Sequence, residues 1–248
     1  MHAISYNRDM HPFEAQVRQF AHITLNADQL GKFQQFEDLL LTRNREFNLT
    51  AIREPAEIRT KHFLDSLTCW QVMQDSSPNT IIDIGSGAGF PGIPLKIAFP
   101  ELDVMLVEST GKKVRFCQEV FQSLALTGIR AIQARAEELA HLMEYREKYD
   151  WAIARAVAPL PALVEYLLPF VRLGGFVLAQ KGATAMQEST DAAAAISVLG
   201  GQVKEIRRAD LPDGINDHHL IVIQKVSPTP AIHPRSGGLP LKKPIREK

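Results

Sequence analysis

The chain has 248 residues, 45% apolar and 23% charged, with 28 basic residues balanced by 28 acidic ones. That length can bury one substantial core. A net charge of zero excludes a global field that would draw the chain to nucleic acid or membrane, so any polyanion contact must come from local patches. Cys69 and Cys117, the two cysteines, show neither zinc spacing nor a disulfide framework, which predicts no metal site and suits a reducing cytoplasm.

Residues 1–9 contain no apolar core of a signal peptide. Residues 13–75 read as helical. Phe33, Phe36, Leu39 and Leu40 recur at helical spacing, as do Ile58, His62, Asp65 and Cys69, with Asn48-Leu49-Thr50 a loop between them. Asp75-Ser76-Ser77-Pro78-Asn79 is a break. Strands then alternate with helices. Strands are expected at Thr80–Gly85, Leu102–Glu108, Ile129–Ala134, Tyr149–Ala156 and Gly175–Gln180. Helices are expected at Pro91–Phe99, Gly111–Leu126, Leu160–Val171 and Thr184–Leu199. Gln202–Arg207 and His219–Val226 close the pattern as a hairpin across Leu211-Pro212-Asp213-Gly214. The apolar stretch Trp151–Leu173 is broken by Arg155, Glu165, Arg172 and three prolines, so it does not span a bilayer. From Ser227 the chain is rich in Pro, Gly, Lys and Arg and reads as an extended basic tail.

These units predict an α/β fold, a Rossmann-like, mostly parallel seven-stranded sheet with helices on both faces. The expected divisions are an N-terminal helical extension at 1–76, a ligand-binding domain at 77–226 and the tail at 227–248. A cytoplasmic monomer is the expected setting.

The chemistry concentrates at strand ends, where open α/β sheets bind ligands. Asp83-Ile84-Gly85-Ser86-Gly87-Ala88-Gly89 follows the first strand. Gly85, Gly87 and Gly89 let the backbone turn and approach a ligand. Dinucleotide sites usually keep the position of Asp83 apolar, facing a pyrophosphate. A carboxylate there suits the cationic S-adenosylmethionine (SAM). Glu108, 23 residues after Gly85, can accept hydrogen bonds from ribose hydroxyls of SAM or NAD alike. Ala136-Glu137 follows the third strand, where adenine is commonly read, although Glu137 also suits the first turn of a helix. Arg155 ends the fourth strand and suits a ligand carboxylate or an RNA phosphate. Lys181 ends the fifth, on the same side of the sheet edge, as a phosphate contact or a solvated lysine.

The chain resembles the RsmG (GidB) family of bacterial small-subunit rRNA guanine-N7 methyltransferases. The resemblance lies in Asn48-Leu49-Thr50-Ala51-Ile52, His62-Phe63-Leu64-Asp65-Ser66-Leu67, the glycine loop with Phe90-Pro91-Gly92-Ile93-Pro94-Leu95, Lys112-Lys113-Val114-Arg115-Phe116, Ala154-Arg155-Ala156, Gln180-Lys181-Gly182 and Pro234-Arg235. It implies a class I SAM-dependent methyltransferase fold with an N-terminal helical extension. It also implies methylation of a guanine N7 in the 530 loop of 16S rRNA. Its cofactor contacts carry over to Gly85, Phe90, Ala136, Glu137 and Arg155, with Glu108 the ribose partner. The implied partner is 16S rRNA, the small ribosomal subunit or an assembly intermediate.

Guanine N7 carries an in-plane lone pair and no proton, so its methylation requires positioning rather than a base. His62, Arg155 and Lys181 are therefore candidates for shaping the pocket or contacting RNA. His62 and Asp65 equally suit a helix-face pair. RNA affinity is expected from Arg43, Arg45, Arg53, Arg59, Lys61, Lys181 and the tail residues Arg235, Lys242, Lys243, Arg246 and Lys248. An NAD-linked oxidoreductase, a methyltransferase for another RNA and a SAM-binding ribosome assembly factor are the competing readings.

Overall fold

Strands with apolar side chains on both faces dictate a sheet covered twice. The computed structural model describes residues 10–212 and 217–246. The reading of residues 1–9, part of the expected hairpin turn and Lys248 fall outside them. The sheet comprises β1 (Thr80–Ile84), β2 (Asp103–Glu108), β3 (Ile129–Gln133), β4 (Tyr149–Arg155), β5 (Val171–Lys181), β6 (Gly201–Ala209) and β7 (His218–Lys225). Their order is β3-β2-β1-β4-β5-β7-β6. β1 to β5 are mutually parallel, while β7 runs antiparallel to β5 and β6. This is the expected mostly parallel sheet with a closing antiparallel pair.

The pleat sends Ile81, Leu106, Ile153 and Leu178 to one face, and Ile82, Val107, Ala154 and Ala179 to the other. The first face is covered by the N-terminal helices α1 (His11–Gln16), α2 (Ala27–Asn44), α3 (Pro55–Ile58), α4 (Asp65–Thr68) and α5 (Trp70–Met73). α6 (Gly92–Ala98) and α7 (Gly111–Ser123) share that face. π-helical turns at Val17–Ala21 and Arg59–Leu64 extend α1 and join α3 to α4. The other face carries α8 (Ala136–Leu139), α9 (Leu160–Leu167), α10 (Ala185–Asp191) and α11 (Ala193–Val198). The single helix expected over 184–199 is therefore two, meeting at Ala192.

The N-terminal layer is locally specified. His22 adopts a left-handed conformation that ends the first helical run. Asn26 and Gln29 then exchange side-chain and backbone hydrogen bonds at 2.9 and 2.8 Å, a capping box that starts α2. The Gln29 amide also donates to the carbonyls of Ile97 and Ala98, which α6 leaves open at its C-terminus. Phe36 stacks on Phe63 and Phe90 at 5.2 and 5.4 Å, joining the N-terminal layer to the glycine loop.

The segment after β7 is docked rather than extended. It ends in the short helix α12 (Leu239–Lys242). Glu165 of α9 is fully buried and accepts from His233 Nδ1 and from the Arg235 guanidinium, the latter at 2.6 Å. Arg146 donates to the carbonyls of Thr229 and His233. Buried Lys225 donates to the Leu168 carbonyl and pairs with Glu147. Composition suggested a solvated tail because the partner that anchors it, Glu165, lies some 70 residues earlier in the chain. Replacing Arg235 with Ala leaves the Glu165 carboxylate buried without its ion-pair partner. Unfolding stability should fall by about 3 kcal/mol in a urea titration, and an unchanged midpoint would dismiss the anchoring role.

Candidate functional site

The strand order reverses between β1 and β4, so the crevice at the carboxyl ends of these strands is the expected ligand site. The glycine loop begins there. Gly85 N and Ser86 N both donate to the Val107 carbonyl, tying the loop to β2. Gly87 has φ +58°, and a Cβ built on it meets nothing within 4 Å. The loop backbone is therefore open on that side. Gly87 N donates to Glu108 Oε2 at 3.1 Å, while Glu108 Oε1 accepts from Thr110 N at 2.8 Å. Glu108 is thus fixed against the open turn. Ala136 and Glu137 begin α8 just beyond β3, whose Gln133 is in register with Glu108. Both residues are buried.

Asp83 does not face this opening. Its side chain is fully buried beneath the loop, where Oδ2 accepts from Gly92 N at 2.9 Å and Oδ1 has no partner. Burial raises its pKa well above the usual carboxylate range. Asp83 supports the start of α6, and the expectation of a carboxylate presented to the ligand is corrected. The Phe90 ring is also turned inward, stacked on His62 at 4.5 Å with the Arg155 guanidinium 5.1 Å from its centre.

A second group of residues gathers at the ends of β4, β5 and β7. Arg155, Gln180 and His218 share one face because Arg155 is in register with Gln180, and Gln180 with Leu220, two residues after His218. They line a cleft of about 370 Å³ with Lys61, His62, Asp65, Ala156, Lys181 and Gly182. Asp65 is its centre. Arg155 Nη1 donates to Asp65 Oδ2 at 2.8 Å and His218 Nδ1 to Oδ1 at 3.0 Å. Gln180 Nε2 donates to the Asp65 carbonyl at 2.9 Å. Burial alone would raise the Asp65 pKa, but the hydrogen bonds from His218 and Arg155 outweigh it and lower it.

His62 is held between two partners. Arg155 can only donate, so His62 Nδ1 accepts from Nη2 at 3.0 Å. The proton then sits on Nε2, which lies 2.7 Å from Thr50 Oγ1. Burial, reinforced by the Arg155 charge, pushes the His62 pKa down to about 4. His62 is therefore a neutral strut with both nitrogens engaged. Arg155 in turn spends donors on Asp65, His62 and the Lys61 carbonyl. Burial raises the pKa of both cysteine thiols, in keeping with a packing role.

The structure turns the Lys181 side chain away from that of Arg155, although both residues line the cleft. In a parallel register that aligns Arg155 with Gln180, the next residue points to the opposite face. Lys181 Nζ donates to the Ala158 carbonyl at 2.6 Å and pairs with Glu188 at 2.7 Å, so it is neither solvated nor free for a phosphate. Other expected RNA contacts are similarly engaged. Arg43 pairs with Glu119 and Glu46, Arg59 with Glu37, Lys61 with Glu57 and Arg235 with Glu165. Among the described residues, Arg45, Arg53, Lys112 and Arg115 are exposed and have no carboxylate partner. Lys112 lies 5.5 Å from the centre of the Phe47 ring, which is 39% exposed. Sequence reasoning missed His218 and Phe47. His218 opens β7, opposite Ala209 of β6 and one residue before the pairing with β5, a position that would have pointed to the site.

The family model for GidB, rRNA small subunit methyltransferase G, matches residues 29–220. The chain belongs to this family. It is 44% identical to ribosomal RNA small subunit methyltransferase G of Alkaliphilus oremlandii over 91% of this chain and 94% of that one. It is 46% identical to the protein of the same name from Leuconostoc mesenteroides, over 91% and 95%. Its fold is similar to an O-methyltransferase from Bacillus cereus solved with SAH, with a TM-score of 0.59 and 15% identity over 87% of this chain and all of that one. Among the described residues, no helix is long and apolar enough to cross a membrane.

The hydrogen bond to Asp65 is the main cause that raises the His218 pKa above its usual value near 6.5. Its contribution to stability is fully present below that value and is lost as pH rises through the raised folded pKa. Unfolding stability measured across this window should fall with pH in the wild type. His218→Gln should remove that part of the slope, and an identical slope in both proteins would count against the pair.

Proposed function

We propose that the chain transfers a methyl group from SAM to N7 of a guanine in the 530 loop of 16S ribosomal RNA. The cofactor, when bound, supplies an electrophilic methyl carried on a sulfonium. The open backbone at Gly87 and the carboxylate of Glu108 suit its nucleoside end, since a fixed carboxylate can accept from ribose hydroxyls. Gly85, Gly89 and Phe90 shape the loop, Asp83 supports it from beneath, and Ala136 and Glu137 border the place for the base.

The observation that carries the reaction class is the absence of an available base at His62. Both of its nitrogens are engaged and its pKa is held at about 4. A nucleophile with a proton to lose would need a group that accepts it. Guanine N7 has none, so holding the ring in line is sufficient. Arg155 and His62 contribute by fixing the cleft wall, and the neighbouring Lys181 by a contact argued below. The substrate is 16S rRNA free, in an assembly intermediate or in the small subunit, met by a cytoplasmic monomer. Residues 77–226 form the SAM-binding unit on this reading, with His62 and Asp65 supplied by the N-terminal extension.

Mapping N7-methylguanine in 16S rRNA tests the reading. A strain lacking the protein should lose one modified guanine, and the wild-type gene should restore it. Gly87→Asp should not restore it, because a second carboxylate beside Glu108 occupies the open side of the loop. Persistence of the modification in the deletion strain would overturn the assignment.

RNA is drawn in by exposed Lys112 and Arg115, which line a depression of about 270 Å³ with Phe47, and by exposed Arg45 and Arg53 in the segment between α2 and α3. Cations interleaved with an aromatic ring suit an unpaired strand. Replacing Lys112 and Arg115 with Glu should weaken RNA binding and flatten its salt dependence, by about one unit of slope per lost phosphate contact. SAM affinity should stay the same. Unaltered RNA affinity at low salt would remove this surface from the interface.

A further inference from the structure

Ala156 has φ +56°, a left-handed conformation that is strained for a non-glycine residue. It opens the loop between β4 and α9 and lines the cleft. The next residue, Val157, bridges the two halves of the site. Its Cγ2 lies 2.6 Å from where a Cβ on Gly85 would stand, and its side chain is 38% exposed. A small shift of this loop therefore moves the wall of the cleft relative to the glycine loop.

One ion pair holds the α9 end of that loop. Lys181 Nζ donates to the Ala158 carbonyl at 2.6 Å and lies 2.7 Å from Glu188 Oε2. The same Oε2 accepts from Leu160 N at 2.7 Å, and Oε1 accepts from Thr184 Oγ1 at 2.9 Å. The Lys181 side chain is only 10% exposed, unlike a lysine that meets RNA phosphates. A strained backbone persists where its surroundings over-determine it, and these contacts anchor the loop two residues beyond Ala156.

We propose that Lys181 and Glu188 are positioning residues for methyl transfer, a clamp that holds Ala156 and Val157 as the wall against which the target base is aligned. The inference rests on the methyltransferase reading above. The clamp touches neither cofactor nor base. It acts on the reaction through geometry, where a displacement of about 1 Å can lower a rate some hundredfold.

The test uses the full chain, with Lys181→Met, Glu188→Gln, the double variant and Lys181→Arg, and small-subunit RNA as substrate. Lys181→Met and Glu188→Gln should each lower kcat at least about tenfold. The Kd for SAM and the KM for RNA should change less than about twofold. The double variant should be no slower than the worse single one, because both break one device. Lys181→Arg should recover most of the rate. Amide exchange over residues 156–160 should quicken in both single variants.

A kcat within about twofold of wild type in both single variants would overturn the clamp. So would a Lys181→Met effect confined to KM, with a salt slope lower by about one and a silent Glu188→Gln, the signature of a phosphate contact. If Lys181→Met does not fold, Glu188→Gln and Lys181→Arg decide the question. If the wild-type protein transfers no methyl group to the RNA, the functional reading fails. Amide exchange then judges the clamp alone, and unchanged exchange over 156–160 rejects it.

Discussion

The buried ion pair between Asp65 and Arg155 joins two distant parts of the chain, the N-terminal layer and the sheet. Asp65 begins α4 in the N-terminal layer, and Arg155 ends β4 at the centre of the sheet. Each charge is costly to remove from water unless it is paired and its remaining hydrogen-bonding sites are filled. The neighbours meet that requirement. His218 and Arg155 each take one oxygen of Asp65, and Gln180 takes its backbone carbonyl. Arg155 divides its remaining contacts between His62 and the Lys61 carbonyl. The position of the cleft and the seating of α4 follow from this desolvated pair, while burial, with the Arg155 charge, keeps His62 neutral.

The N-terminal helices are accordingly part of the site. They share an apolar layer with α6, α7 and one sheet face, and they carry His62 and Asp65 to the strand ends. The aromatic stack of Phe36, Phe63, Phe90 and His62 runs from α2 to the underside of the glycine loop. The glycine-loop half, at β1, β2 and β3, is built from backbone and a fixed carboxylate. The other half, at β4, β5 and β7, is built from charged side chains that mostly bind one another. Val157 lies between the halves, which makes the loop after β4 the natural place to control alignment.

Charge at the surface is arranged by the same rule. Basic residues that look interchangeable along the chain separate into those with a carboxylate in reach and those without. Arg43, Arg59, Lys181 and Arg235 are absorbed into ion pairs that hold elements together. Arg45, Arg53, Lys112 and Arg115 remain exposed, the last two in a depression they share with Phe47. A chain with no net charge can thus still present local groups of exposed cations.

Much was legible before any fold was known. The shift from helical to strand–helix periodicity at residue 77, the seven strands and the glycine turn are local signals, set by side-chain period and by backbone freedom at Gly87. The family was legible too, because Phe90-Pro91-Gly92-Ile93-Pro94 and Ala154-Arg155-Ala156 are contiguous. The facing of Asp83, the opposite directions of Arg155 and Lys181, the docking of the C-terminal segment on Glu165 and the entry of His218 were decided only by tertiary structure. Each depends on strand register or on which distant charge shares a buried environment. A one-residue offset reverses a side chain, and desolvation makes an ion pair compulsory only once the chain has closed around it.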